Sequence, residues 1–520
     1  MKRTTDTSAF LHGSLLLTLS ALTAKVCGAL FRIPLTSLLG GRGMGYFSTA
    51  YGLFLPLYAV LVTGLSTAVA KPVADRCGRG DFAGARRIRR AARLLFLGTG
   101  LLGTAAALLC AKAFTLSSAG DLQAYPAVLV IAPAIVICSL TAVERGYREG
   151  LCDMLPTAVS QGVEALARLV LGLTLCKAFL THPPALLQGC TPESAGACGA
   201  VLGVTLSALA GWGCTLLWTL PERPLKSTPK APLKPILRDI LRLLIPASLG
   251  ALVTNLTSLI DLVTVMRLLP DGSDPAFQYG SFMGMAVTVF GLVPSLTNML
   301  AKGVLPCTAQ AWARGDRPAA AVYARQVLSL TGLLCIPAGC GLFALSRESL
   351  TFLFAGREAE IGAAWRSLQA LSPAIICLCL TYPLFSLLQA IGQERLPVLL
   401  MLPGLLVKCA GNLLLVPRLG ITGAALSTSL CYAVILVPAL IVLRRTLGTP
   451  LHLAGVLLPQ GFAGVLCGAA AYVCFGMMQG FPQRIAFFLA VLAGGAVYAL
   501  TLWLLTGHSV PAMLRPDGDL

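Results

Sequence analysis

A small set of polar residues stands inside long apolar runs of this chain: Lys25 and Arg32, Glu164 and Arg168, Asn255, Asp261 and Arg267, and Lys408 and Asn412. An ionised group near the centre of a bilayer costs on the order of 2.5–3.5 kcal/mol on insertion scales, so each needs a partner, a watery cavity or a ligand. Spacing sorts them. Glu164 and Arg168 lie four apart with the acid first, which lets them pair along one helix face, either as a self-neutralised structural pair or as part of a site. Lys408 and Asn412 are also four apart, and Asn255, Ser258 and Asp261 share one helical stripe. Such stripes more often bond helix to helix than touch substrate, but here bases outnumber acids. Lys25 sits midway through its apolar run with no acid near it in that run, whereas Arg32 and Arg267 lie closer to run ends, where long side chains can snorkel. The set therefore predicts a water-filled central cavity of net positive charge. Arginines there hold phosphate oxygens bidentately and a lysine acts as a point charge.

Other chemistries lack their residues. The chain has no Gly-x-x-x-x-Gly-Lys-Ser/Thr phosphate loop, no metal-binding His pair and no nucleophile elbow, so the expectation is a transporter, with neither enzyme activity nor cofactor. The two Arg-Gly-Asp runs, at Arg79 and Arg314, read as chain turns. The run Glu144-Arg-Gly-Tyr-Arg-Glu149 reads as a charged cap at the cytoplasmic interface, with headgroup contact as the alternative. Cys190 and Cys198 share an expected outside loop, where they form either a disulfide or two separate thiols.

The elements that must position these residues are membrane helices. Hydrophobic residues make up 56% of the chain and charged ones only 12%, too few to clothe a soluble protein of 520 residues. Apolar runs of roughly 20 residues give about fourteen spanning helices. They fall near 10–31, 45–70, 91–113, 123–144, 154–178, 198–219, 236–266, 276–301, 322–345, 366–391, 396–416, 421–443, 452–476 and 484–506. The first run continues past Lys25 to Arg32 without a small-residue cleavage site, which favours a retained helix over a signal peptide. Lys and Arg concentrate in the even-numbered connections, from Lys71 to Arg93, at Arg145 and Arg148, from Arg223 to Arg242, and at Lys302, Arg314, Arg317, Arg325, Arg395, Arg444 and Arg445. This asymmetry puts both termini in the cytoplasm. The net charge of +18 is then accounted for by topology and by anionic lipids at the cytoplasmic face, with no need of nucleic acid.

An offset of 235 residues maps the front half onto the back: Arg32 onto Arg267, Gly45 onto Gly280, Phe47 onto Phe282, and Arg79-Gly80-Asp81 onto Arg314-Gly315-Asp316. The expected fold is an all-α polytopic membrane protein, two six-helix lobes related by a pseudo-two-fold axis along the membrane normal, plus two C-terminal helices. The lobes are 1–220 and 236–445, the proline-rich cytoplasmic linker is 221–235, and 446–520 holds the last two helices and a cytoplasmic tail.

The blocks Arg32-Ile-Pro-Leu-Thr-Ser-Leu-Leu-Gly40, Gly43-Met-Gly-Tyr-Phe, Arg145-Gly-Tyr-Arg-Glu-Gly-Leu-Cys-Asp-Met-Leu-Pro156 and Gly420-Ile-Thr-Gly-Ala-Ala425 resemble stage V sporulation protein B and MurJ-like flippases. These belong to the multidrug/oligosaccharidyl-lipid/polysaccharide exporter superfamily. The resemblance implies a bacterial plasma-membrane flippase for a lipid-linked, pyrophosphate-bearing glycan, a peptidoglycan precursor of the lipid II kind, with the spore cortex as one destination. It places cavity cations at Lys25, Arg32 and Arg267 and offers the last two helices as a groove for a polyprenyl tail. It also implies alternating access, reset by H+, Na+ or the membrane potential, and cell-wall synthesis enzymes as partners. Glu164 and Asp261 depart from an otherwise basic pattern, either tuning the cations or binding the coupling ion. Two other readings stand beside it. A cation-coupled multidrug antiporter would want an exposed acid in the first helix, which has none, and a noncatalytic scaffold of an envelope-synthesis complex would tolerate neutralised cavity bases.

Overall fold

The computed structural model describes residues 7–119, 121–218, 233–270, 274–393, 395–448, 453–478 and 480–507. Among them the long elements are all helices: α1 (Thr7–Leu61), α2 (Leu65–Gly78), α3 (Phe82–Ala119), α4 (Tyr125–Ile131), α5 (Ala134–Gly150), α6 (Leu155–Thr181), α7 (Pro192–Leu217), α8 (Leu233–Leu268) and α9 (Pro275–Ser281). They continue as α10 (Val287–Ala313), α11 (Arg317–Ala344), α12 (Ser346–Leu353), α13 (Glu358–Ala390), α14 (Leu396–Leu419), α15 (Ile421–Leu447), α16 (Leu453–Met477) and α17 (Gln483–Thr506). Eleven helical stretches among the described residues are long and apolar enough to cross a membrane. One of them, Thr23–Gly78, takes in the end of the first expected span and all of the second, and within it α1 kinks at Gly40 (φ 65°, ψ −172°), a conformation open to glycine and costly for other residues.

The helices are longer than their apolar runs. The 38 residues of α3 extend about 57 Å, nearly twice the roughly 30 Å hydrocarbon core. The basic stretch expected as a loop between the second and third spans is therefore mostly helix, with only Arg79–Asp81 as the turn between α2 and α3. Gly80 takes φ 75°, and Asp81 caps α3 through its Oδ1, which accepts from Gly84 N at 2.7 Å. This bond and the donation from Arg76 at 2.9 Å hold the Asp81 carboxyl below the usual carboxylate range. The second Arg-Gly-Asp repeats the device, with Gly315 at φ 76° and Asp316 Oδ1 accepting from Ala319 N at 3.0 Å. Both runs turn the chain and start a helix.

The described chain forms two compact units, Met1–Arg267 and Leu268–Leu520. In the first, Ile240 and Leu244 of α8 join a core with Leu65, Val69, Ile88, Phe96 and Val143, and Ser248 donates to the Thr63 carbonyl at 3.3 Å. Sequence repeat and packing thus divide the chain at opposite ends of α8. The expected linker falls mostly in 219–232 and the expected tail in 508–520, outside the described residues. In the second unit α13 packs against α10, α11 and α15, α14 pairs with α15, and α16 lies between α11 and α17.

Apolar helices in lipid gain little by hiding from each other, so close backbone approach at small residues carries much of their association. Gly146 and Gly150 do this for α5 on α2: a Cβ at either would lie 2.4 Å from Ser66 O or 2.6 Å from Ala70 O. Gly199 and Gly203 seat α7 on α6 in the same way, at 2.4 Å from Leu175 O and Gly172 Cα. Gly146→Val should therefore force α2 and α5 apart and cost about 1–3 kcal/mol, typical of overpacking. Thermal unfolding of the purified chain in detergent measures it against Gly78→Ala, whose new Cβ meets nothing within 4 Å. Equal midpoints for the two variants would contradict this packing.

Candidate substrate-binding site

One face of α6 carries Gln161, Glu164 and Arg168, spaced by one and two helical turns. Gln161 Oε1 accepts from Ser20 Oγ of α1 at 3.1 Å, tying this face to the first limb of α1. Glu164 is held from two sides. Arg168 Nη2 donates to Oε1 at 2.8 Å along the helix, the pairing its spacing predicts, and Arg145 Nη2 of α5 donates to Oε2 at 2.9 Å. Arg145 is itself oriented by its Nε, which donates to Ser160 Oγ at 2.9 Å. Gly211 lets the backbone of α7 close over the cluster, since a Cβ there would lie 3.1 Å from Glu164 Cβ and 3.5 Å from Arg145 Nη2. Tyr51, on the second limb of α1, lies within the electrostatic reach of Arg168, Arg32 and Glu164, and Tyr58 within that of Glu164, Arg145 and Arg168. A second acid, Glu149, also lies within the electrostatic reach of Arg145. The side chains of Arg145 and Glu164 keep 16% and 18% exposure and that of Arg168 keeps 35%, so the cluster is reachable from outside.

Arg145 is the residue that sequence reading missed. In the run 144–149, expected as a charged cap, the first acid is turned into the protein. Glu144 is 1% exposed, bridged at 2.6 Å by Arg89 and also by Arg93, both on the extended start of α3. The Arg89 guanidinium stacks over Tyr147 at 4.7 Å, and Arg148 Nη2 donates to Trp218 O at 2.5 Å. The physical reason is the length of α3, which carries its arginines alongside α5. The four-residue spacing of Gly146 and Gly150 was the readable sign that this segment packs against another helix.

The remaining predicted residues are scattered. Lys25 is exposed on the first limb of α1, and Lys25, Arg32 and Asp261 are each engaged by hydrogen-bonding or electrostatic contacts. Asp261 is buried in α8, and Asn255 Nδ2 donates to Ala251 O of its own helix at 2.8 Å. Arg267 lies at the exposed end of α8, where its Nε donates to Ser117 O at 2.8 Å and satisfies a carbonyl in the last turn of α3. Lys408 and Asn412 are 1% and 0% exposed, turned into the packing of α14 on α15 rather than into open space. Lys408 Nζ donates to Ala424 O at 2.9 Å and to Thr428 Oγ1, and Asn412 Oδ1 accepts from Ser427 Oγ. This corrects their assignment as cavity residues, because the carbonyl of Ala424 and two hydroxyls one turn of α15 or less away take up their polar groups. Cys190 and Cys198 are free thiols, and Cys198 lies buried within α7 rather than in a loop.

Residues 88–493 match the family model of the lipid II flippase MurJ. The chain belongs to the MurJ family. The lipid II flippase MurJ of Bacillus subtilis (strain 168) is 24% identical over 467 residues, covering 85% of this chain and 84% of its own. Stage V sporulation protein B of the same organism is 23% identical over 437 residues, 80% of each. A solved MurJ in an inward closed conformation superposes with a TM-score of 0.73 at 14% identity, covering 96% of this chain and all of the other. An inward-facing multidrug transporter of the MATE family, in the MOP superfamily, superposes at 0.64 and 16% identity, over 83% of this chain and 98% of its own. The fold of a polytopic membrane transporter is thus shared across the superfamily, and MurJ-family members are transporters, not catalysts.

If Lys408 serves the α14–α15 clasp, Thr428→Val, which removes one acceptor and leaves the buried amine in place, should destabilise the protein by about 1–3 kcal/mol. Lys408→Met, which removes the donor itself, should cost less. Thermal unfolding of both variants checks the order, and a larger loss for Lys408→Met would contradict it.

Proposed function

We propose that this chain moves a lipid-linked, diphosphate-bearing glycan of the peptidoglycan-precursor class from the inner to the outer leaflet of a bacterial plasma membrane by alternating access. The observation that carries the reading is the pair of guanidiniums, Arg145 and Arg168, that meet at the partly exposed carboxylate of Glu164. Guanidiniums in a partly dry site hold phosphate oxygens bidentately, and an excess of them favours an anion over a cationic drug. Membership of the MurJ family and the relative named as a lipid II flippase support the lipid II class. Likeness to a stage V sporulation protein supports a spore-cortex precursor as the cargo in a spore-forming host.

With both termini in the cytoplasm, the basic helix extensions around Arg76, Arg86 and Arg90 face anionic headgroups and the enzymes that supply the precursor. An inside-negative potential favours outward movement of each negative charge by roughly 2.3 kcal/mol per 100 mV, and H+ or Na+ resets the emptied carrier. Complementation of a strain depleted of its own MurJ tests the reading. Arg145→Ala combined with Arg168→Ala should abolish growth rescue at normal membrane abundance, whereas Arg267→Ala, which removes a helix-end contact, should retain most of it. Full rescue by the double variant would remove the proposal.

A further inference from the structure

The first unit contains two carboxylates that are each clamped between two arginines, and they differ in a way that separates structure from traffic. Glu144 is 1% exposed, with Arg89 at 9% and Arg93 at 39%, so the difference lies in the acid. Glu164 keeps 18% exposure and Arg168 keeps 35%, and the Arg168 Nε, buried as an atom, has no hydrogen-bond partner. The Glu164 clamp is also one-sided. Arg145 is oriented by Ser160 as well as by Glu164, while among the described residues the one hydrogen bond of Arg168 goes to the carboxylate four residues before it. Each guanidinium occupies a separate oxygen of Glu164, as it would occupy separate oxygens of a phosphate group.

We infer that Glu164 is an internal counter-anion that the diphosphate of the cargo displaces, so that it sets how loosely the arginines hold the cargo and hence how fast it is released. This rests on the preceding reading of the cluster as the phosphate site. No covalent bond changes: the carboxylate gives up its contact with Arg168 first, the phosphate oxygens take that guanidinium, and the carboxylate returns when the cargo leaves. A cluster without the carboxylate would bind more tightly and turn over more slowly, since affinity realised equally in every state only traps one of them.

The full chain in detergent, titrated with farnesyl diphosphate, tests this. Glu164→Gln should bind the probe about tenfold more tightly than wild type, within the usual range for coupled sites. In proteoliposomes the same variant should translocate a labelled lipid-linked diphosphate disaccharide more slowly. Glu164→Asp, whose carboxylate is withdrawn by one methylene, should tighten binding by a smaller factor and carries the test if the Gln variant does not fold. Unchanged or weaker binding by these variants, while Arg145→Ala and Arg168→Ala lose affinity, would overturn the displacement and leave the site standing. Wild-type affinity in both arginine variants would overturn the site itself, and the displacement with it.

Discussion

A carboxylate cannot rest alone among apolar helices, and the first unit is organised around how its acids are met. At Glu144 and again at Glu164, two guanidiniums supplied by different positions of the helical bundle converge on one acid. The desolvation cost of a buried ion is offset only when such contacts are close and well aligned. Backbone proximity makes them so. Gly146 and Gly150 bring α5 against α2, and Gly211 brings α7 onto the Glu164 cluster, so that charged side chains of ordinary length reach their partners.

Two guanidiniums meet one acid at both clusters, and the exposure of the acid separates them. Around Glu144 the carboxylate is sealed at 1% exposure, with the Tyr147 ring under Arg89, and the cluster braces α3 against α5. Glu164 keeps 18% exposure, so a ligand can reach the acid and the guanidiniums on it. A structural brace has no use for an acid left within reach of a ligand. An anion carrier does, provided that its cations release what they bind. The α14–α15 clasp of Lys408 shows the third possibility, a basic residue absorbed by neutral oxygens.

Much of this was legible in the residues. Apolar length and breakers located the helices, the Arg-Gly-Asp runs announced turns that Gly80 and Gly315 make with positive φ, and the four-residue spacing of Glu164 and Arg168 announced their bond. What escaped was non-local. Nothing in periodicity says that Arg145 crosses from α5 to α6, because the separation of 19 positions from Arg145 to Glu164 includes a turn whose geometry the spacing does not encode. Hydropathy marks where a helix leaves the hydrocarbon, not where its hydrogen bonds stop, so the extension of α3 and the partners of Glu144 were hidden in what looked like a basic loop. Lys408 was misread for a related reason. A buried lysine advertises a partner but not its kind, and a carbonyl left reachable by Ser and Thr in a neighbouring helix serves as well as a ligand.

The central claim is that the guanidiniums of Arg145 and Arg168 carry a diphosphate lipid across the bilayer. It is tested most directly by following a fluorescent polyprenyl-diphosphate disaccharide between leaflets of proteoliposomes that hold equal amounts of folded wild-type chain or the Arg145→Ala, Arg168→Ala double variant. Loss of charge-assisted bonds worth about 1.5–3 kcal/mol each predicts a transfer rate lower by at least about tenfold. Equal rates in the two preparations would contradict the account.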